Sequence, residues 1–101
     1  MVKWADYCIS HVRYNDPKTH IEQVKVHQDL GDSLGIPSIW ERTGVLDSLR
    51  NNESFCTITE GADNNWIQGA KVEIVTINGT DYIKTKKDST KKDNLGKLPK
   101  F

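Results

Sequence analysis

At 101 residues the chain holds one small domain and not two. Its apolar share is 36 % and its charged share 28 %, with three Trp, three Tyr and two Phe, which excludes general disorder. The formal charge is zero, so no overall field draws the protein to nucleic acid or membrane.

That zero conceals an asymmetry. From Lys84 to Phe101 there are seven lysines and two aspartates, a net of +5, so the first 83 residues carry −5. Two cysteines, Cys8 and Cys56, are too few for a disulfide scaffold. No apolar run approaches the ~20 residues of a membrane span. The opening MVKWADYCIS lacks the apolar centre of a secretory signal, so the expectation is a cytoplasmic chain with reduced thiols. On that basis NES at 52–54 and NGT at 78–80 read as turn sequences and not as glycosylation acceptors.

ADYCISHVRYN alternates as a half-buried strand does, with Cys8, Ser10, Val12 and Tyr14 on one face and Tyr7, Ile9, His11 and Arg13 on the other. NDPKT is turn chemistry, because Asn and Asp bond locally and Pro17 sets its own φ. HIEQVKVHQ reads as a second strand, with Val24 and Val26 sharing a face, paired to the first as a hairpin. DLGDSLGIPS is a loop.

A helix follows, and two residues compete for its cap. Ser38 stands three residues before Glu41, the spacing of a capping box. Thr43 precedes GVLDSLRNN, where Val45, Leu46 and Leu49 form an apolar stripe. Gly44 would cost roughly 1 kcal/mol inside a helix but little in its first turn, which favours Thr43 as the cap and an end near Asn51. So short a helix must lie on an apolar surface.

SFCTIT is a third strand and GADNN a turn. AKVEIVTI is a fourth strand with apolar residues on both faces, which places it centrally in the sheet. Asn78-Gly79 is the strongest hairpin signal, since a type I′ turn needs φ > 0 at both central positions. DYIKT is the fifth strand. The order ββαβββ gives an α+β domain over residues 1–101: a five-stranded, mainly antiparallel sheet with one short helix across a face.

The chain ends KTKKDSTKKDNLGKLPKF. Together with YCISHV, HIEQVKV, Trp40 and TGVLDSL, this run resembles a small bacterial family of unknown function that closes on a tyrosine strand and T-x-x-D…N-L-x-x-L-P. Tyr82, Thr85, Asp88, Asn94, Leu95, Leu98 and Pro99 fit that closing pattern. Phe101 stands where many relatives have Cys, and Gly96 where they often have Leu. The glycine that commonly ends the second strand is absent. The resemblance implies a fold and no catalytic residues. It also implies that residues 86–101 form a lysine-rich strap folding back to bury Leu95 and Leu98. Burying both would contribute roughly 3–6 kcal/mol against about 1–2 kcal/mol per residue of connecting chain made rigid. Local side-chain bonds from Asp93 and Asn94 would help the strap to order.

Chemistry is sparse. Cys8, His11, His20, His27 and Cys56 are the candidate soft ligands, but no CxxC or HxxxH spacing occurs. Cys8 opposes His27 in one hairpin register, which still supplies two ligands only. No metal and no cofactor are expected. Cys56 in a strand interior reads as an inert thiol. The carboxylate pairs Asp29/Asp32 and Glu60/Asp63 read as ordinary loop residues without a cleft, so no enzyme is expected. Phosphate-cradle motifs are absent. The reading that remains is a non-enzymatic module for an unknown protein or small ligand, with Trp66 as its surface aromatic and Trp40 as a core plug. The alternative is a nucleic-acid binder in which Lys84, Lys86, Lys87, Lys91 and Lys92 track phosphates and Trp66 or Tyr82 stacks on bases. Against it stand the interspersed Asp88 and Asp93, the lack of arginine in the run, and the use of such lysines to guard sheet edges.

Overall fold

Strand β1 (Tyr7–Tyr14) pairs antiparallel with β2 (Ile21–Gln28), the expected first hairpin. A computed structural model describes residues 4–15, 20–31, 33–61, 65–85, 93–96 and 98–101. The hairpin register sets Cys8 opposite His27.

Ser10 interrupts the alternation of β1. Ile9 faces Val26 and His11 faces Lys25, so Ser10 is an extra residue without a cross-strand partner, a β-bulge. The bulge advances the phase by one. Ile9 and Val12 therefore enter the same large core, with Tyr7 and Tyr14 packed against it, while Cys8 lies in a second cluster on the other face. The expected grouping of Cys8 and Ser10 with Val12 and Tyr14 fails for this reason, and Cys8 and His11 share a face instead of opposing one another.

SIWE is neither loop nor cap. Ser38–Glu41 forms an edge strand, β3, against β2, with Trp40 opposite Val24. The helix α1 (Arg42–Arg50) begins directly after it, and Glu41, in the N-cap position, makes no side-chain capping bond. Both expected caps are thus corrected: sheet pairing draws Ser38 into an extended backbone, and Thr43 is already inside the helix. Asn51 N–H bonds back to Asp47 and Ser48, and Asn52 at φ 66° ends the helix. Val45 and Leu46 are its buried residues.

After the helix, β4 (Phe55–Glu60) returns beside β1 in parallel register, Tyr7 to Phe55 and Cys8 to Cys56. The run expected as one central fourth strand is divided at Val72. Its first part belongs to β5 (Trp66–Lys71), antiparallel to β4 at the far edge of the sheet. Val72 still gives its N–H to Phe55 O at 2.9 Å but is 1 % exposed, turned into the core. The chain then leaves the sheet as β6 (Glu73–Ile77), which pairs with β7 (Thr80–Lys84) as a separate two-stranded sheet. Asn78 at φ 51° and Gly79 at φ 82° make the expected turn between them.

The architecture is α+β with one helix and a mostly antiparallel five-stranded sheet in the order β3-β2-β1-β4-β5. The element order is βββαββββ and not ββαβββ. Gly69 permits β5 to cross β4 closely, since a Cβ there would stand 2.8 Å from Thr57 O.

One face of the sheet carries the larger core, where Phe55 and Val24 meet Val45 of the helix, Ile83 of the hairpin, and Leu95 and Leu98. Trp40 packs against it, edge-on to Phe55 with ring centroids 5.7 Å apart. Leu95 is 2 % and Leu98 8 % exposed. Asn94 N–H bonds Ile83 O, and Val12 N–H bonds Pro99 O. Beyond that contact, the Phe101 ring lies under the Arg13 guanidinium, 4.7 Å away.

Asp93 holds this end in place. Its carboxylate accepts the N–H of Ile21 at 2.7 Å and of Ile83 at 2.8 Å, and the Arg42 guanidinium at 2.8 and 3.2 Å. Arg42 also donates to Asp81 O, and Arg50 to the Asp81 carboxylate. A single buried acid thereby joins β2, β7 and the helix. The lysine-rich connection, residues 86–92, lies outside the described residues. Among the described residues no helix is long and apolar enough to cross a membrane.

Candidate functional site

The described residues among those nominated from sequence, Trp66, Tyr82 and Lys84, do not converge. Trp66 opens β5 at the edge of the large sheet and is partly exposed. Tyr82 and Lys84 belong to the other sheet, on one side of β7, and are buried at 6 % and 1 % exposure. Tyr82 stacks on His20 with centroids 5.6 Å apart, and Lys84 Nζ lies 5.8 Å from the Tyr82 ring. Neither presents a face to a nucleic-acid base or phosphate, because β7 is covered on that side. Lys86, Lys87, Lys91 and Lys92 lie outside the described residues.

The structure gathers a different set around Trp66. A cleft of about 340 Å³ is lined by Ser10, His11, Thr59, Glu60, Trp66 and Pro99. The bulge in β1 places Ser10 and His11 there, and the β4–β5 register sets Glu60 directly opposite Trp66. His27 lies behind, its ring tilted against the Trp66 indole at 5.3 Å. The cleft is thus an indole wall with a carboxylate at its mouth and imidazole and hydroxyl groups along its floor.

Hydrogen-bond logic assigns the floor. His27 Nδ1 lies 3.0 Å from Gly35 O, and a carbonyl only accepts, so Nδ1 carries the proton. In the neutral ring Nε2 then accepts, at 3.0 Å, from the Ser10 hydroxyl. The Ser10 oxygen in turn accepts from His11 Nδ1–H at 2.8 Å. The three residues form one continuous hydrogen-bonded chain that ends at Gly35 O. Burial, then repulsion from Lys25, lowers the pKa of His11 below its ordinary value, with Glu60 pulling the other way. His11 is therefore neutral at pH 7, and among the described lining residues Glu60 supplies the carboxylate at the mouth of the cleft.

Sequence reasoning found Trp66 but missed Ser10, His11, His27 and Glu60 as its neighbours. Only an interruption of the strand alternation would have signalled them, and the sequence of β1 shows none. A second groove of about 320 Å³, between the helix end and the β5–β6 junction, is lined by residues such as Leu49, Glu53 and Lys71 and gathers no comparable set.

Beneath Trp66 lies the smaller core cluster of Ala5, Cys8, Cys56 and Ile58, with Trp4 and Leu34 against it. The two thiols are in contact, 3.6 Å apart. Asp29, beside Cys8, accepts the backbone N–H groups of Trp4 and Gly31. Among the described residues no group of three or more His, Cys, Asp or Glu is placed to hold a metal ion.

No curated protein matches the chain, and no solved structure matches it. A family model matches residues 8–99, from the first strand through buried Leu98 and exposed Pro99. By that match the chain belongs to the family described as Protein of unknown function (DUF3892).

Proposed function

We propose that the protein is a non-enzymatic binding module whose recognition site is the Trp66 cleft, and that the group it takes is a cation, such as the basic side chain of a partner protein or a small amine. One observation carries this reading: the partly exposed Trp66 indole stands opposite Glu60 in a cleft where, among the described lining residues, the other titratable group, His11, is held neutral. A cation over an indole face gains roughly 0.5–2 kcal/mol, and a carboxylate within reach adds a charge-assisted bond. The net −5 of the first 83 residues favours the approach of such a partner. In the same reading residues 86–101 act as a strap whose apolar end closes the core.

The test is titration with a short arginine- and lysine-containing peptide, followed at the Trp66 indole N–H resonance. Shifts that saturate, weaken with salt and disappear in Glu60→Gln are expected. An unmoved Trp66 resonance, or equal shifts with an acidic peptide, would overturn the reading. A single-stranded oligonucleotide at low salt is the companion titration. Binding that falls steeply with added salt would favour the lysine-rich alternative instead.

A further inference from the structure

Cys8 and Cys56 are register partners on adjacent parallel strands, and both are free thiols. Neighbouring strands run about 4.8 Å apart, and a disulfide spans Cα separations of roughly 4.4–6.8 Å. The backbone therefore already stands at bonding span, with both side chains on the same face of the sheet. Closing the 3.6 Å between the sulfurs needs side-chain rotation and no movement of the strands.

The two sulfurs differ in their surroundings. Cys8 lies 3.9 Å from the Asp29 carboxylate and is fully buried, while Cys56 is 3 % exposed. The 3.6 Å contact with Cys8, a hydrogen bond that either sulfur can donate, lowers the pKa of Cys56 below its usual value. The same bond, followed by burial and the charge of Asp29, holds Cys8 protonated. Thiolate character thus collects on Cys56, the cysteine farther from the Asp29 charge and the less completely buried of the two.

We propose that Cys8 and Cys56 form a two-electron redox site that consumes a small hydroperoxide, with Cys56 attacking and Cys8 resolving. The Cys56 thiolate attacks one peroxide oxygen; the S–O bond forms, the O–O bond breaks, and the leaving oxygen takes up a proton as water or an alcohol. Cys8 sulfur then attacks the Cys56 sulfenic acid. The S–S bond forms, the S–O bond breaks, and the departing hydroxide takes the Cys8 proton as a second molecule of water. The two thiols lose two electrons and the peroxide gains them. Trp4, Leu34 and Trp66 pack against the cluster that holds the pair, and the burial of both cysteines excludes a bulky disulfide substrate, so the oxidant must be small.

The experiment treats the reduced protein with hydrogen peroxide, denatures samples in an alkylating agent and measures intact mass. The expected product is a monomer lighter by two hydrogens that resists alkylation, is restored by dithiothreitol, and yields on digestion a peptide linking Cys8 to Cys56. Tryptophan fluorescence should change in step, because the indoles of Trp4 and Trp66 pack against the cluster that holds the pair. Cys8→Ser should accumulate a Cys56 sulfenic acid trapped by dimedone, and Cys56→Ser should leave Cys8 unmodified at the same dose. Full alkylation of both thiols in the wild-type protein, at doses that oxidise a free-thiol peptide, would overturn the site. Equal modification of the two single variants would overturn the assigned roles. The wild-type measurement decides the first point even if neither variant folds.

Discussion

Asp93→Asn isolates the group on which the closing segment depends. The aspartate is fully buried at its side chain, against 20 % exposure for its partner Arg42. Its two oxygens accept four hydrogen bonds, two from backbone N–H groups and two from the guanidinium. Asparagine keeps the shape but retains one accepting oxygen, so its NH2 group must face a donor. Breaking one side of a buried ion pair costs about 3–5 kcal/mol, and each stranded buried N–H about 1–3 kcal/mol. These costs overlap, and about 3–5 kcal/mol in total is the expected loss. For a domain of this size each kcal/mol lowers Tm by roughly 4–8 °C, so a fall on the order of 20 °C should follow. Urea unfolding of wild type, Asp93→Asn, Arg42→Gln and the double variant would measure the coupling. A loss under about 1 kcal/mol, the worth of an exposed pair, would refute the reasoning.

Further outcomes follow from the same contacts. Leu95→Ala should cost about 2–5 kcal/mol, as for any leucine lost from a closed core, whereas a free terminus would lose nothing; chemical denaturation separates the two. Gly69→Ala should destabilise by roughly 1–3 kcal/mol because Thr57 backbone blocks the new methyl, while Gly35→Ala, whose nearest neighbour would be Gln28 O at 3.5 Å, should fall within about 0.5 kcal/mol of wild type in a thermal melt. His11 binds its proton less readily in the folded state, so its neutral form is complete above the ordinary 6.5 and is lost as pH falls through the lower folded value. Affinity for the basic peptide should therefore hold above pH 6.5 and drop below it, with His11→Gln abolishing the drop; a pH-independent titration curve would count against the cleft. Asp81, bonded to Thr76 and then Arg50, keeps its charge below its ordinary 3.8, so its share of stability is present above that pH and is lost only as pH falls further, visible as an acid limb in the melt that Asp81→Asn removes.

The elements legible in the sequence are those whose signal is local. Asn78-Gly79 dictates its hairpin because two adjacent residues supply the positive φ values that the turn needs. The alternation of β2 and the apolar stripe of the helix name their elements within a few residues. Leu95 and Leu98 are conspicuous in a polar segment, and apolar residues there have nowhere favourable to go but inward. Tertiary structure decided the rest. SIWE satisfies a capping pattern, but β2 offered an open edge whose backbone groups needed partners, and pairing prevailed. The split at Val72 arises because burying that side chain turns the backbone out of the sheet, and no composition rule records it. The bulge at Ser10 and the parallel register of Cys8 with Cys56 depend on residues 15 and 48 positions away. Both the Trp66 cleft and the thiol pair hang on those two registers. A register is chosen by the core as a whole, through the total apolar area that each alignment buries, so it leaves no mark on any short stretch of sequence.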